Sequence, residues 1–292
     1  MQQAILITAY KNYHHLEEIF KVFGAEFGIY IHIDKKSNLS FEEMRVLTSY
    51  PQVKLVSQKY KVNWGGLNHL KSIIFLAEEA LKSKETSYFH LISGHDYPIK
   101  PAAEFVAFFK KNSDSEYMEH FKVPKLGWAN NGGMDRIEYY NFYDLLNGKK
   151  PKQKGLIKRL IRIQKKLGFK RSISSKIPSL YGGSTWWSLS RACLDYVVTF
   201  TKNNKNVFNR FKHTLCSEEF YFSTIVMNSP FAEKVANTNL RYIDWVARNG
   251  NNPAILDNID LDKLLNANSF FARKFEYPQS KELLTRLQNK LK

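Results

Sequence analysis

Cysteine occurs only twice in this 292-residue chain, as Cys193 and Cys216. Two thiols leave no disulfide framework and no metal-ligand spacing, and they suit a reducing cytosol. No run of about 18 apolar residues occurs, so no transmembrane helix is expected. The opening stretch MQQAILITAYKNYHH lacks a basic leader, a long apolar segment and a cleavage site. It reads as a first buried strand and not as a signal peptide. Glycine-rich phosphate loops are missing too. The first strand-like run is followed by YKNYHH in place of G-x-G-x-x-G, and no G-x-x-x-x-G-K-[ST] occurs, which argues against a dinucleotide fingerprint and a P-loop. Acid is short: 27 Asp and Glu stand against 44 Lys and Arg, a formal charge of +17. That excess points to an anionic partner: nucleic acid, a membrane surface or a phosphorylated small molecule. Composition does not choose among them.

What is present, over the first part of the chain, is an alternation of strand and helix patterns. QAILITA (Gln3 to Ala9), FGIYIHID (Phe27 to Asp34), VKLVSQ (Val53 to Gln58), SYFHLISG (Ser87 to Gly94) and EYMEHFKV (Glu116 to Val123) have strand length and composition. LNHLKSIIFLAEEALKS places Leu67, Leu70, Ile74, Ala77 and Leu81 on one helical face. Pro101 opens a further helix at a first-turn position. The expected fold class is α/β: a mostly parallel, Rossmann-like central sheet with helices on both faces. Ligands of such sheets bind beyond the carboxyl ends of the strands. Those ends carry Thr8, Asp34, Trp64 with Gly65, and Asp96.

The middle of the chain differs. Lys149 to Lys176 holds twelve basic residues and no acid. Leu156, Leu160, Ile163 and Leu167 share one face, which predicts a basic amphipathic helix. The simpler expectation is a helix packed on the core with a solvated face. The alternative is peripheral contact with an anionic membrane.

Candidate chemistry is sparse. His32 and Asp34 would share a strand face, but no third metal ligand lies nearby. Asp34, at a strand end, is better placed to accept hydrogen bonds from a nucleoside. The formal D-x-D of Asp260 and Asp262 reads more simply as a turn that caps a helix. It lacks the Gly and terminal Glu of a calcium loop. Ser217 can cap a helix that carries Glu218 and Glu219 in its first turn. The chemical reading of that stretch is a carboxylate base. Neighbouring helical residues point roughly 100° apart, so at most one of the two is the working group. Arg273 and Lys274 read either as a surface dyad or as a diphosphate clamp. Trp64, Trp128, Trp186, Trp187 and Trp245 are either core or sugar-facing indoles; several stand next to Gly, Asn or Ser, in loop-like contexts.

Together these stretches resemble one family. IYIHIDKKS, NWGG, LISGHDYPI, GSTWWSLSR, SEEFYFST with NSPF, LRYIDW and FFARKFE run in order from Ile29 to Glu276. They are similar to the core-2/I-branching N-acetylglucosaminyltransferase and peptide O-xylosyltransferase family. Singly each motif is weak, whereas seven in order are specific. The resemblance implies a GT-A-like fold, a UDP-sugar donor, inversion at the anomeric carbon, and no metal or other cofactor. It implies one glycosyltransferase domain, with a nucleotide-sugar half over residues 1–125 and an acceptor and catalytic half over 126–292. It makes Glu219 the catalytic base. It gives Asp34, Arg273, Lys274 and Asp96 to the donor. Strand-end position and the indole-face reading add Thr8, Trp64, Gly65 and Trp186 to the donor, and Trp187, Trp245 and Trp128 to the acceptor. One departure matters. Thr185 stands where xylosyltransferases carry an aspartate, which disfavours UDP-xylose. Golgi members also carry a membrane anchor and several disulfides, so the expectation is a bacterial, cytosolic relative.

The leading expectation is therefore an inverting transferase that moves a sugar, GlcNAc first, from UDP to a glycan hydroxyl in surface-polysaccharide synthesis. A xylosyltransferase is the alternative within enzymes. A nucleic-acid-binding protein would explain the charge, but no recognition motif supports it. A catalytically dead, lectin-like domain is the third reading, and Glu219 with Arg273 and Lys274 argues against it.

Overall fold

Among the described residues ten strands form in chain order: β1 Gln2–Ala9, β2 Phe27–Ile33, β3 Val53–Ser57, β4 Thr86–Ser93, β5 Asp96–Pro98, β6 Glu116–Lys122, β7 Tyr181–Ser190, β8 Val235–Ala236, β9 Arg241–Ile243 and β10 Phe271–Arg273. This computed structural model describes residues 2–173 and 175–291. Seven strands make one sheet in the order β3-β2-β1-β4-β7-β6-β8, and β5-β10-β9 make a second. In the large sheet β1, β2, β3 and β4 pair in parallel, and only β7 runs against its neighbours. The expected mostly parallel α/β sheet is thus present. Its five predicted strands and the helix Leu67–Leu81 fall where the pattern put them.

Period-2 alternation explains why both faces are covered. Ala4 and Leu6 of β1 point into one core with Phe89, Leu91 and Leu189, under the helices Leu67–Leu81, Arg191–Asn203 and Glu218–Met227. Ile5 and Ile7 point into the other, with Ile29, Ile31, Phe105 and Leu283. The second core reaches the small sheet through Phe271 and Ala272. Arg241 of β9 pins the two sheets together. Its buried guanidinium donates to the Leu91 carbonyl at 2.9 Å, the Trp187 carbonyl at 2.8 Å and Ser188 Oγ at 2.7 Å.

The chain after β6 supplies the rest of the site. It makes a short helix, Asp135–Glu138, then the basic helix Pro151–Lys166, before β7 returns antiparallel to β4. The β6–β7 register jumps between Met118↔Trp187 and His120↔Gly183, so Ser184 to Trp186 bulge out of the ladder. Gly183 fits this close approach because a Cβ there would lie 1.9 Å from the Glu119 carbonyl oxygen.

Candidate active site

The carboxyl ends of β1, β2 and β4 converge, and contacts between side chains tie them to the later part of the chain. Thr8 Oγ1 lies 3.3 Å from His69 Nε2, and the other nitrogen of that ring, Nδ1, lies 3.1 Å from Glu218 Oε1. Glu218 is buried, and its Oε2 has no hydrogen-bond partner. Glu219, on the next residue, is 30% exposed and accepts from Arg136 Nη2 at 2.7 Å. The Arg136 guanidinium also lies over Trp128 at 4.6 Å and Phe220 at 5.1 Å. Burial pushes the Glu219 carboxyl above the usual range; Arg136 opposes that rise and Glu218 adds to it.

Helix geometry alone separates the two glutamates by about 100°, yet their side chains bend together. Oxygens of Glu218 and Glu219 and the sulfur of Cys216 lie within 4.8 Å of one another. Among the described residues this is the one such group of three potential ligands. Burial and the two acids hold the Cys216 thiol well above its ordinary pKa, so it stays protonated. Arg136 and His69 each occupy one carboxylate. Ser217 does stand before the helix, but its hydroxyl makes no capping bond. The first-turn acids instead reach out to partners on other elements.

A second cluster forms where β5 and β10 pair and Asp96 meets Arg273 in register. Arg273 Nε lies 3.5 Å from the buried Asp96 Oδ1, and its guanidinium stacks on the Trp186 indole at 4.4 Å. The other Asp96 oxygen accepts from Ser93 Oγ at 2.6 Å and from the Ser93 amide. Lys274 Nζ is 3.5 Å from Glu276 Oε1, which Lys11 Nζ approaches at 2.9 Å and His95 Nδ1 at 3.3 Å. Burial would raise the Glu276 carboxyl, but Lys11, His95 and Asn12 outweigh it and hold it low. Burial in turn lowers the Lys274 ammonium. Here Lys11, Arg273 and Lys274 gather around two carboxylates.

Nearby rings join this cluster to an open cavity. Tyr10 packs on His95 with ring centroids 5.3 Å apart, and Lys149 lies 5.4 Å over the Tyr10 ring. Trp64, Gly148, Lys149, Pro151 and Lys154 line a cavity of about 500 Å³. Trp64 is 55% exposed. Gly65 turns at φ +79, where a Cβ would meet Leu215 at 2.6 Å, so glycine is required on both counts.

Other expected residues take different parts. Asp34 Oδ1 accepts from the amides of Val62 at 2.9 Å and Lys36 at 3.0 Å, which fixes the loop after β3. His32 Nε2 accepts from the Tyr60 amide at 3.0 Å, and burial lowers the ring to about 4. That makes it a neutral structural group. Asp257 and Asp260 form a reciprocal capping box, and Asp260 also takes Arg248 at 2.5 Å. Asp260 of the D-x-D is therefore a capping residue, and Asp262 lies in the first turn of the following helix, Leu261–Leu265. Trp187 departs from its expected place. It is fully buried against Phe222, at 4.8 Å between ring centroids, so it belongs to the core and cannot face an acceptor. Trp128 is half-buried under Arg136, and Trp245 is 67% exposed.

Sequence reasoning missed Arg136, His69, Lys11, Glu276 and Asp144. Asp144 accepts from the Leu67 and Asn68 amides at 3.0 and 3.3 Å, capping the helix behind Gly66. All five act across separations of 60 residues or more, and no local pattern marks them.

A mostly parallel sheet with a half-buried carboxylate, fixed cations and indoles gathered at its strand ends is the arrangement of an α/β enzyme. The chain belongs to the Core-2/I-Branching enzyme family, whose model matches residues 4–264. It is 27% identical over 284 residues to xylosyltransferase 2 of Rattus norvegicus, covering 90% of this chain and 30% of that protein. It is 26% identical to xylosyltransferase 1 of Homo sapiens, covering 79% of this chain and 22% of that protein. The chain thus spans under a third of these relatives. Among solved structures, TarS of S. aureus in complex with UDP aligns over 98% of this chain and 64% of its own, at 11% identity and a TM-score of 0.41.

Proposed function

We propose that this chain is an inverting glycosyltransferase that moves a sugar from a UDP-sugar to a glycan hydroxyl, with Glu219 as base. The observation that carries this reading is the Glu219 carboxylate itself. It is partly open to solvent, its proton affinity is raised by burial, and it is held in place by Arg136. The acceptor oxygen bonds to the anomeric carbon as the bond from that carbon to the diphosphate oxygen breaks. The hydroxyl proton passes to Glu219, and the electron pair leaves with UDP. A positioned base of this kind contributes about 10²–10⁴-fold.

Lys11, Arg273 and Lys274 are the fixed cations offered to the leaving diphosphate, in place of a metal ion. Asp34 and the loop it fixes serve the nucleoside side, and Trp64, Trp128 and Trp245 offer indole faces to sugars. GlcNAc is the first donor to test, because Thr185 replaces the aspartate of the xylosyltransferase pattern. UDP-xylose is the second reading, favoured by the names of the matched relatives. The deciding experiment is a thermal-shift screen of UDP-GlcNAc, UDP-xylose, UDP-galactose and UDP-glucose, followed by turnover with the stabilising donor. Stabilisation by none of the four overturns the reading.

The acceptor we favour is a surface-polysaccharide precursor on a lipid carrier. Among the described residues no helix is long and apolar enough to cross a membrane. The helix Pro151–Lys166 would hold the enzyme peripherally at an anionic, cytoplasmic membrane face. Exposed Leu156, Ile163 and Leu167 beside its lysines and arginines support that role.

A further inference from the structure

A second cavity, of about 540 Å³, opens among Tyr140, Phe169, Lys170, Arg171, Ser172, Asn209, Arg210, Lys212 and His213. Its lining holds four permanent cations and a histidine, and no acid. Among the described residues, no carboxylate lies within ion-pair distance of Arg171, Arg210, Lys212 or His213. Lys170 alone has one, Glu138 at 3.2 Å. The two arginines are held by backbone instead. Arg171 Nη2 donates to the carbonyls of Arg210 and Lys212, both at 2.6 Å. Arg210 Nη2 donates to the carbonyls of Ile137 and Arg171 at 3.1 and 3.2 Å. Each guanidinium is therefore fixed in place by carbonyl oxygens and without a close ion-pair partner, Glu138 acting on Arg210 only from a longer distance. Arg210 Nη1 and His213 Nδ1 are buried without a hydrogen-bond partner.

The walls are aromatic. Tyr140 stacks with Phe169 at 5.7 Å, Arg171 sits 4.7 Å over Tyr140, and His213 packs on Tyr140 at 5.5 Å. Arg171, Arg210 and His213 are half-buried, and withdrawing like charges from water side by side is costly unless an anion joins them. The strain registers on the groups themselves. Burial, then Arg171, lowers Arg210 to about 10 against the opposing pull of Glu138, and burial with Lys212 and Arg171 lowers His213 against that of Asp144. None of this serves the carboxylate of Glu219 or the cluster around Glu276.

We propose that this cavity is a binding site for a phosphate group, distinct from the site of sugar transfer. Arginine forks and an ammonium suit the oxygens of a phosphate mono- or diester. The cavity's size lies within the range of small-ligand sites. Two sources share this chemistry: a soluble phosphate compound and a lipid headgroup. Phe169 follows Leu167, the exposed end of the basic helix, so either source can reach it.

The test follows the His213 ring signals by carbon–proton NMR, assigned with His213→Gln. Pyrophosphate at low ionic strength should shift them saturably. Lys170→Glu/Lys212→Glu should weaken that binding by about tenfold or more, since both ammonium groups are solvent-exposed cations at the rim. An unchanged circular-dichroism spectrum and unfolding midpoint of the free variant establish that its fold is intact, because Lys212 itself acts on the His213 ring. Monomeric dihexanoyl-phosphatidylglycerol, against dihexanoyl-phosphatidylcholine, forms the second arm, so that vesicle binding by the helix Pro151–Lys166 does not enter the readout. A shift by pyrophosphate alone assigns a soluble phosphate. A His213 shift by the phosphatidylglycerol lipid, lost in the double variant, assigns a headgroup. Unmoved His213 signals in both arms, or an equal response from the double variant, overturn the site. The readout needs no donor or turnover, so it stands or falls apart from the sugar-transfer reading.

Discussion

Arg136 donates to Glu219 at 2.7 Å while its guanidinium rests on the Trp128 indole at 4.6 Å. The indole fixes the arginine, and the arginine fixes the carboxylate. A base so held keeps one oxygen toward Arg136 and leaves the other for a proton. Glu219→Gln should abolish transfer while UDP binding survives, read by turnover beside calorimetry. Glu218→Gln should keep measurable transfer, because Glu218 is buried against His69. A dead Glu218→Gln with an active Glu219→Gln would move the base by one residue.

The charges around Glu219 set the acid limb of the pH–rate profile. A base works deprotonated, so the rate climbs with pH through its pKa. Burial raises that pKa, Arg136 lowers it and Glu218 raises it. The wild-type limb should therefore lie above the ordinary glutamate value. Arg136→Gln should move it to higher pH and Glu218→Gln to lower pH. Shifts in kcat/KM of the opposite sign would mean that another group carries the limb.

Much of this arrangement was legible before the fold, and the reasons for the gaps are physical. Apolar runs bounded by turns gave the parallel strands, since both faces of those strands are buried. Strand-end geometry then drew Thr8, Trp64 and Asp96 to one edge. Arg136 and His69 were invisible because a long-range ion pair leaves no local pattern. Trp187 misled for a different reason. It stands beside a bulge, and neighbouring residues alone do not reveal which tryptophan the bulge turns inward. The basic helix was half-read. Leu156, Leu160, Ile163 and Leu167 are expected on one face, yet Leu160 is half-buried beside the fully buried Ile157 while the other three are exposed.

The cation cluster makes the leaving-group prediction. Arg273→Ala and Lys274→Ala should each weaken UDP binding and slow transfer, by about 10²–10³-fold for a donor aimed at developing charge. Lys11→Ala should act in the same direction, since Lys11 shares Glu276 with Lys274. EDTA should leave turnover intact. Strict dependence on manganese would sink the metal-free proposal and direct attention to Cys216, Glu218 and Glu219, whose ligand atoms already converge.

The tryptophans separate by stability. Trp187→Ala removes a fully buried indole and should cost about 3–5 kcal/mol in denaturant unfolding. Trp245→Ala should leave the unfolding midpoint unchanged, and a raised KM for acceptor alone is its expected kinetic signature. A stable Trp187→Ala would contradict its place in the core.

The helix Pro151–Lys166 shows how a basic segment can be both docked and available. Ile157 is buried, Gln153 accepts from the Asn147 amide at 2.5 Å, and Gln164 exchanges hydrogen bonds with Tyr140 at 2.8 and 3.1 Å. That side holds the helix to the protein. Leu156 and Ile163 remain 45% exposed and Leu167 76%, spaced so that they share a stripe on the outward side. Lys158, Arg159, Arg162 and Lys166 are exposed beside them. Each such cation near an anionic surface contributes about 1 kcal/mol, screened by salt. Arg159, Arg162 and Lys166 changed to Glu should release the enzyme from phosphatidylglycerol vesicles in flotation while sparing transfer to a soluble acceptor. The docking residues are untouched, so the fold should hold. No flotation of the wild type at low salt ends the membrane proposal. Unchanged flotation with lost transfer would give this helix to the acceptor instead.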